Sequence, residues 1–401
     1  MHISNCRVCK SKDLESIFKL PDLPLVGDFK IDQNMVDPKF PLDLLFCSGC
    51  KVLQVGYDIS LTRLFTNYSF SSSTIPSLVE HFNKYANWLV GNFKPASVLE
   101  VGCNDGVLLD PLKKLGVKVF GVDMSVNIGE LAQEKNLDVR VLKFGLNELQ
   151  NLKDWVGSVD LITVSNAFPH NEDPGGFLST ARDLLTPEGF LVLEVMYAGS
   201  LKQNLQWDSV YHEHLHIHSL HSLKNLFQIN GYSVIDAEIV DMHAGTIRVV
   251  AKPGDHKIRS GAMQILNEED LLGINTVESW LEFGTASHRI INECHKTLSD
   301  FSKKGTIWAY GASGRASMWL NGANLHFIEK IVDSSYLRAG RFIPGVSTPI
   351  VLPKEFDYEK PEYVFITAWN YSDKIMSQHP KYDGKWIIPL PKFRIIEEEV
   401  L

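Results

Sequence analysis

The chain has 401 residues, 44% of them hydrophobic and 22% charged, the make-up of a folded globular protein with room for two or three domains. Its net charge of −9, from 39 Lys and Arg against 48 Asp and Glu, excludes the broad basic face that nucleic-acid binding needs, although a local basic pocket for a phosphorylated small molecule stays open. No apolar run approaches the about 20 residues of a membrane-spanning helix, and the opening Met1–Asp13 has no basic-then-apolar leader, so a cytoplasmic protein without a membrane partner is expected.

In chain order, the first signal is cysteine. Four of the six cysteines form two Cys-x-x-Cys pairs, Cys6 with Cys9 and Cys47 with Cys50. Each such turn aims two thiolates at one ion, and two turns complete the tetrahedron of a closed, structural zinc site. The gap between the pairs exceeds the usual about 15–20 residues, which an inserted segment accommodates. Two unrelated pairs of buried thiols are the alternative, and disulfides are disfavoured in a reducing compartment. Cys103 and Cys294 have no partner by spacing and are read as packing residues.

An amphipathic helix through Leu78, Phe82, Tyr85 and Leu89 leads into a buried strand, Ser97 to Val101. A glycine turn, Gly102-Cys103-Asn104-Asp105-Gly106, a helix from Val107 to Leu115, and a strand from Val117 to Val122 ending at Asp123 follow. An acid at the tip of the second strand suits a ribose diol. The carboxylate of Glu100 ahead of the turn repels a pyrophosphate and suits a nucleoside bearing a cationic group, as S-adenosylmethionine does with its ammonium and sulfonium. A tight strand-to-helix turn without a ligand is the alternative. Helices at Val126–Lys135, Gly175–Leu185 and Leu220–Asn230 then alternate with strands at Asp138–Leu142, Val159–Val164 and Glu188–Met196. The strands Val234–Ile239 and Thr246–Lys252 finish a doubly wound α/β sheet of the class I S-adenosylmethionine methyltransferase type. Its ligands belong outside the carboxyl ends of the strands, where Asp123 and Met124, and then Ser165, Asn166, Ala167 and His170, lie.

The run from Trp207 to His221 holds five of the 14 histidines. Tyr211, Glu213 and His214 offer a base, an orienting acid and a hydrogen-bond donor within four residues. His212 and His214 would share a face only in an extended segment, and no clean third ligand accompanies them, so proton transfer is preferred to metal binding. His212, His216, His218 and His221 are read as structural. Beyond a helical stretch from Gly261 to Ser302, strand, glycine turn and helix recur in Gly305–Leu320, and strands are expected before Asp333 and in Pro361–Tyr371 and Lys385–Pro391. This is a Rossmann-like unit, either kept for packing or serving as a platform for a nucleotide through Arg315, Arg341 and the amides of Gly311 to Ser313.

These blocks together resemble the sugar C-methyltransferases that act on nucleotide-linked ketosugars. The resemblance runs over nearly the whole chain: the paired cysteines, Asn67–Thr74 ("NYSFSSST"), Leu99–Gly106 ("LEVGCNDG"), Tyr211–Leu220 ("YHEHLHIHSL"), Tyr310–Asn321, Asp333–Ile350 and Ala368–Tyr371. It implies a small zinc-binding domain over 1–65, a methyltransferase domain over 66–258, and a helical bridge with a Rossmann-like domain over 259–401. It further implies S-adenosylmethionine held by Glu100, Gly102, Asn104, Asp105, Gly106, Asp123, Met124 and Ser165–Ala167. Tyr211 and His214 become a proton-transfer pair supported by Glu213, with His170 a second candidate. The substrate, a nucleotide-diphosphate ketosugar methylated beside its ketone, would meet Tyr68, Ser71, Arg248, Arg315 and Arg341, in a monomer or homodimer. Departures cluster on the substrate side: His170-Asn171-Glu172-Asp173, His216-Ile217-His218, His243-Ala244-Gly245-Thr246-Ile247-Arg248 and Gly314-Arg315. A different acceptor, methylated on oxygen or nitrogen, and a non-catalytic scaffold are the remaining alternatives.

Overall fold

The computed structural model describes residues 1–65, 68 and 70–397; Asn67 and Ser69 of the "NYSFSSST" stretch lie outside the described residues. The segment between the two cysteine pairs is a hairpin, β1 (Leu14–Pro24) and β2 (Lys39–Cys47), which carries the chain from one knuckle to the other. A short strand, β3 (Leu53–Val55), extends this antiparallel sheet. Ile17, Phe18, Leu20 and Leu23 of β1 pack in the same core as Trp308, Ile331 and Phe365 of the C-terminal third. The hairpin is therefore not a free-standing globule, in keeping with how little apolar surface so short a segment can bury alone.

The central sheet takes β4 (Ser97–Val101), β5 (Lys118–Asp123), β6 (Val139–Val141), β7 (Val159–Ser165) and β8 (Leu185–Met196), all parallel. After β9 (His216–Ile217), discussed below, β10 (Tyr232–Val240) and β11 (Thr246–Pro253) complete it in the order β10-β11-β8-β7-β4-β5-β6. Only β11 runs against its neighbours. Strands such as β4 and β7 read as nearly continuous apolar runs because helices cover both faces. One face packs the helix Pro76–Phe93 through Leu78, Phe82, Tyr85 and Leu89; the other packs Leu152, Phe177, Leu178 and Leu223. This is the class I methyltransferase sheet, and its crevice opens where the connections from β4 and β7 diverge.

The expected helical bridge is two helices, Ser260–Leu271 and Val277–Phe301, separated by Gly273 at φ 66°, a left-handed conformation that ends the first helix. The second helix lies on the first hairpin so closely that a Cβ on Gly284 would stand 2.1 Å from the Ile17 carbonyl oxygen. The last sheet consists of β12 (Ile307–Tyr310), β13 (Lys330–Val332), β14 (Ile350–Val351), β15 (Tyr363–Ile366), β16 (Lys385–Ile388) and β17 (Arg394–Ile396). Its order is β14-β13-β12-β15-β16-β17, parallel except for β17. The strands of two or three residues, β9, β14 and β17, are too short to leave a periodic signal in sequence. Among the described residues, no helix is long and apolar enough to cross a membrane.

Candidate active site

The four knuckle thiols converge. The Sγ atoms of Cys6, Cys9, Cys47 and Cys50 all lie within 4.8 Å of one another, with Cys6–Cys50 and Cys9–Cys47 at 3.5 Å. A zinc ion with bonds of about 2.3 Å needs sulfurs about 3.8 Å apart, so the residues fit a four-thiolate site with no open position. Among the described residues, this is the only cluster of its kind. The histidine run contributes no ligand set: His212 turns into the N-terminal sheet, its Nε2 3.1 Å from the Pro41 carbonyl.

The glycine turn is shaped by its neighbours. A Cβ on Gly102 (φ 73°) would stand 2.2 Å from Ala167, and one on Gly106 (φ 78°) 2.2 Å from Leu137. Asp123 accepts the amide of Asn104 at 2.9 Å and that of Ser125 at 2.8 Å, one on each oxygen, which leaves each a further lone pair. Burial raises its pKa. Glu100, 2% exposed, is raised well above the carboxylate range by burial and then by Asp123 and Asp105, and its Oε2 has no partner. Such a crowd of carboxyls calls for a cation. Beside it, Met124 shares a cavity of about 350 Å³ with Leu61, Val141, Leu142 and Lys143. Asn166, at φ 56°, donates its amide to the Glu194 carbonyl, and the Ser165 hydroxyl is buried without a partner.

Several expected ligands are engaged elsewhere. The Asn104 side chain bonds the backbone of Phe70 and Ser72, and the Asp105 carboxylate accepts the Ser71 hydroxyl at 2.7 Å and the Ser73 amide at 3.1 Å. These three residues bind the lead-in segment to the glycine turn; Asp105 does so through Oδ2 alone, its Oδ1 being buried without a partner, and Ser71 is 6% exposed. Arg248, also 6% exposed, is clamped by Glu194 and Glu238 and stacked over Tyr85 and Trp88, because the strand alternation turns it under the helix Pro76–Phe93. The amides of Gly311, Ala312 and Ser313 already donate to Val332, Asp333 and Gly311, so they offer nothing to a nucleotide. Arg341 makes no side-chain bond among the described residues; Arg338, three residues earlier, holds Asp333 at 3.3 Å and exerts its charge on Tyr68.

The histidine run forms a turn at the junction of all three parts of the chain. His214 Nδ1 lies 2.7 Å from the Ser209 carbonyl, which only accepts; Nδ1 therefore carries the proton and Nε2 the lone pair. Burial, then His170, pushes its pKa down to about 3. His170 donates Nδ1–H to the Glu213 carbonyl at 2.6 Å, and its ring lies 5.3 Å from that of His214. Tyr211 sits 4.0 Å from His214, its phenol held protonated by burial and Glu213. The Glu213 carboxyl is pushed up to about 7 by burial and then by Asp28. Tyr68 is raised by burial and then by Glu213 and Tyr211, and its backbone is fixed by Asn127.

The flanking parts close this turn. A Cβ on Gly27 would meet Glu213 Oε1 at 3.0 Å, and one on Gly314 would meet the Tyr211 hydroxyl at 3.4 Å. Arg315 bonds Asn370, Gln206 and the His243 carbonyl at 3.1–3.2 Å, lies over Trp369, and spreads its charge over Tyr211 and His214. Gly27 carries no motif that would single it out in sequence, and Gly314 and Arg338 stand in family-like blocks without a role of their own; only their positions in the fold bring them to the turn and to Tyr68.

Three family profiles match the chain in succession: a zinc binding domain over residues 6–65, a methyltransferase domain over 77–237, and a C-methyltransferase C-terminal domain over 241–391. The C-methyltransferase NovU of Streptomyces niveus is 29% identical over 99% of this chain and 98% of its own length. A ubiquinone biosynthesis O-methyltransferase of Caulobacter vibrioides is 30% identical over 28% of this chain and 44% of its own. The magnesium protoporphyrin IX methyltransferase of Synechocystis overlays 43% of this chain and 78% of its own at 19% identity and a TM-score of 0.33.

Proposed function

Because the chain is an S-adenosylmethionine-dependent methyltransferase similar over nearly its whole length to a C-methyltransferase, we propose that it methylates the carbon beside the ketone of a nucleotide-diphosphate ketosugar through an enolate. The observation that carries this reading is the turn at Tyr211–His214, where a lone pair, a protonated phenol and a carboxyl of pKa about 7 share one buried junction. S-Adenosylmethionine, when bound, supplies a methyl group on a sulfonium. Asp123 would hold its ribose hydroxyls, the carboxyls around Glu100 would face its cationic end, and the cavity beside Met124 would take its adenine.

His214 Nε2, whose lone pair is free at neutral pH, would accept the alpha proton as the enolate charge developing beside it offsets the burial that holds its pKa near 3, and the C–H electron pair becomes the enolate double bond. The Tyr211 hydroxyl donates to the enolate oxygen, with the fixed charge of Arg315 behind it. S-Adenosylmethionine held by Asp123 and Glu100 would supply the methyl group to the enolate carbon, its sulfur keeping the old bonding pair. Glu213, titrating near neutrality, is suited to move the proton onward. His170 holds the Glu213 carbonyl and is the second candidate base. Tyr68, whose phenol is raised by Glu213 and Tyr211, would meet the acceptor, and Arg315 and Arg338, whose charges reach Tyr211 and Tyr68, would face an anionic substrate.

The test is incubation with S-adenosylmethionine and a panel of nucleotide 4-ketosugars. A carbon-bound methyl group is expected, and a product methylated on oxygen or nitrogen would refute the acceptor reading. Tyr211→Phe and His214→Ala are expected to lower turnover by on the order of 10²–10⁴ while binding S-adenosylmethionine normally. Both should also slow exchange of the alpha hydrogen with deuterated water in the presence of S-adenosylhomocysteine. Exchange at the wild-type rate in both variants would move the base to His170.

A further inference from the structure

We propose that Arg7, inside the first cysteine knuckle, is a positioning residue that ties the zinc site to the backbone of the catalytic turn; this rests on the reading of Tyr211 to His214 as the proton-transfer segment. Arg7 lies between two metal ligands, Cys6 and Cys9, yet it is 7% exposed and its guanidinium bonds Val55, Leu215 and Asp58. Its Nη1 donates to the Val55 carbonyl at 2.6 Å and is 3.3 Å from the Leu215 carbonyl; its own amide donates to Gln54 Oε1 at 3.0 Å. Leu215 directly follows His214.

The same region is laced by backbone. The Val55 amide also donates to the Leu215 carbonyl, and the two-residue β9 pairs with β3 through Leu53–Ile217 and Gln54–His216. The Leu215 amide in turn donates to the Glu213 carbonyl, the acceptor of His170. On the far side, His216 Nε2 holds the Asn171 carbonyl at 3.0 Å, and its Nδ1 accepts from His218 Nε2 at 2.9 Å. The residues on either side of the reacting groups are thus fixed to the zinc-bearing sheet, and among the described residues Arg7 is the charged side chain that bonds from the knuckle to the turn.

A bland account would make Arg7 a surface ion pair with Asp58 at 2.5 Å. Asp58 is half exposed, and ion pairs of that kind contribute little. The bonds to Val55 and Leu215 are in the interior, where an unmade bond to a charged group is costly. An ion held by Cys6 and Cys9 would add to the Gln54 and Ser11 bonds that fix the backbone around Arg7. Loss of zinc is therefore expected to loosen the segment 213–217 before it unfolds the central sheet.

The experiment uses the full-length, zinc-loaded protein. Arg7→Met keeps the apolar stem and removes the donors, Arg7→Lys keeps a charge, and Asp58→Asn removes only the outer partner. Amide hydrogen exchange over 213–217 is expected to quicken by on the order of tenfold to hundredfold in Arg7→Met, with about one zinc still bound per chain. Exchange elsewhere in the sheet and the affinity for S-adenosylmethionine should not change. Arg7→Lys should restore part of the protection, and Asp58→Asn should match wild type. On an accepted substrate, kcat should fall without a matching rise in the KM for S-adenosylmethionine. Unchanged exchange over 213–217 in zinc-loaded Arg7→Met would overturn the proposal, as would a uniform rise along the whole chain. If that variant does not fold, wild-type exchange in Arg7→Lys would overturn it equally. Exchange and metal content need no acceptor, so failure of the ketosugar reading and failure of this one are separately visible.

Discussion

Replacing Glu213 by Gln tests the electrostatics of the turn directly. The carboxyl has a pKa of about 7 in the fold against 4.5 when free, a shift produced by burial and then by Asp28. Below pH 4.5 both folded and unfolded chains hold the proton, and the group contributes no difference. Between pH 4.5 and 7 the unfolded chain releases it while the fold retains it, so stability falls as pH rises, and the loss is complete above pH 7. At about 1.4 kcal/mol per pK unit, the shift corresponds to a cost on the order of 3 kcal/mol at pH 8. Glu213→Gln removes the titration and keeps the shape. Relative to wild type, it should therefore gain most of that amount at pH 8 and almost none at pH 4.5. With about 2 cal/mol/K of unfolding entropy per residue, the gain at pH 8 is a rise in Tm of roughly 4–8 °C, depending on how much of the chain melts as one unit. Calorimetric melts of both proteins across pH 4.5–8 measure it. A Tm difference that is the same at both ends would show that the carboxyl is not raised, and the role of Glu213 in moving a proton near neutrality would fall with it. In the same series, turnover of Glu213→Gln should be lower, with its dependence on pH near 7 abolished.

Three further outcomes follow from the geometry. Purified protein should carry about one zinc per chain, and Cys47→Ser should lower both metal content and Tm; a folded, metal-free wild type would refute the four-thiolate site. Asp123→Ala should weaken S-adenosylmethionine binding by on the order of tenfold to hundredfold by calorimetry, with the far-ultraviolet spectrum unchanged. Unchanged affinity would remove Asp123 from the cofactor set. Arg248→Ala should destabilise the fold by about 3 kcal/mol because it strips Glu194 Oε1 of its charged partner and leaves that buried carboxylate only His81, measured by denaturant unfolding. A normal Tm with a raised substrate KM would instead return Arg248 to the substrate.

The parts of the site readable in sequence are those where chemistry and spacing coincide. Two Cys-x-x-Cys turns imply one ion whatever lies between them, and the thiols do converge. The strand, glycine turn and acid at Ser97–Asp123 imply a crevice because glycine and a strand-end carboxylate have few other reasons to sit at those intervals. The side chains of Asn104 and Asp105 belong to the same motif, yet they face the lead-in segment. Local sequence shows that such residues stand at the turn; which way each side chain faces depends on what packs beside it. Arg248 shows the same limit, since an arginine on a strand is equally compatible with a substrate or with a buried Glu194.

By itself, then, the sequence determined most strands and helices of the central sheet, the four convergent cysteines and the α/β character of two lobes, because these rest on periodicity and on ligands close in the chain. Only the tertiary structure decided which residues meet at the turn. His170 reaches Glu213 across 43 residues, Arg315 reaches Gln206 across 109, and Arg7 reaches Leu215 across 208. Contacts over such separations are fixed by the stacking of one sheet against another and by β9 crossing into the N-terminal sheet. The same packing sets the pKa values: a glutamate titrates near 7 and a histidine near 3 because burial removes water from both, a property of the assembled junction and of no local stretch of sequence.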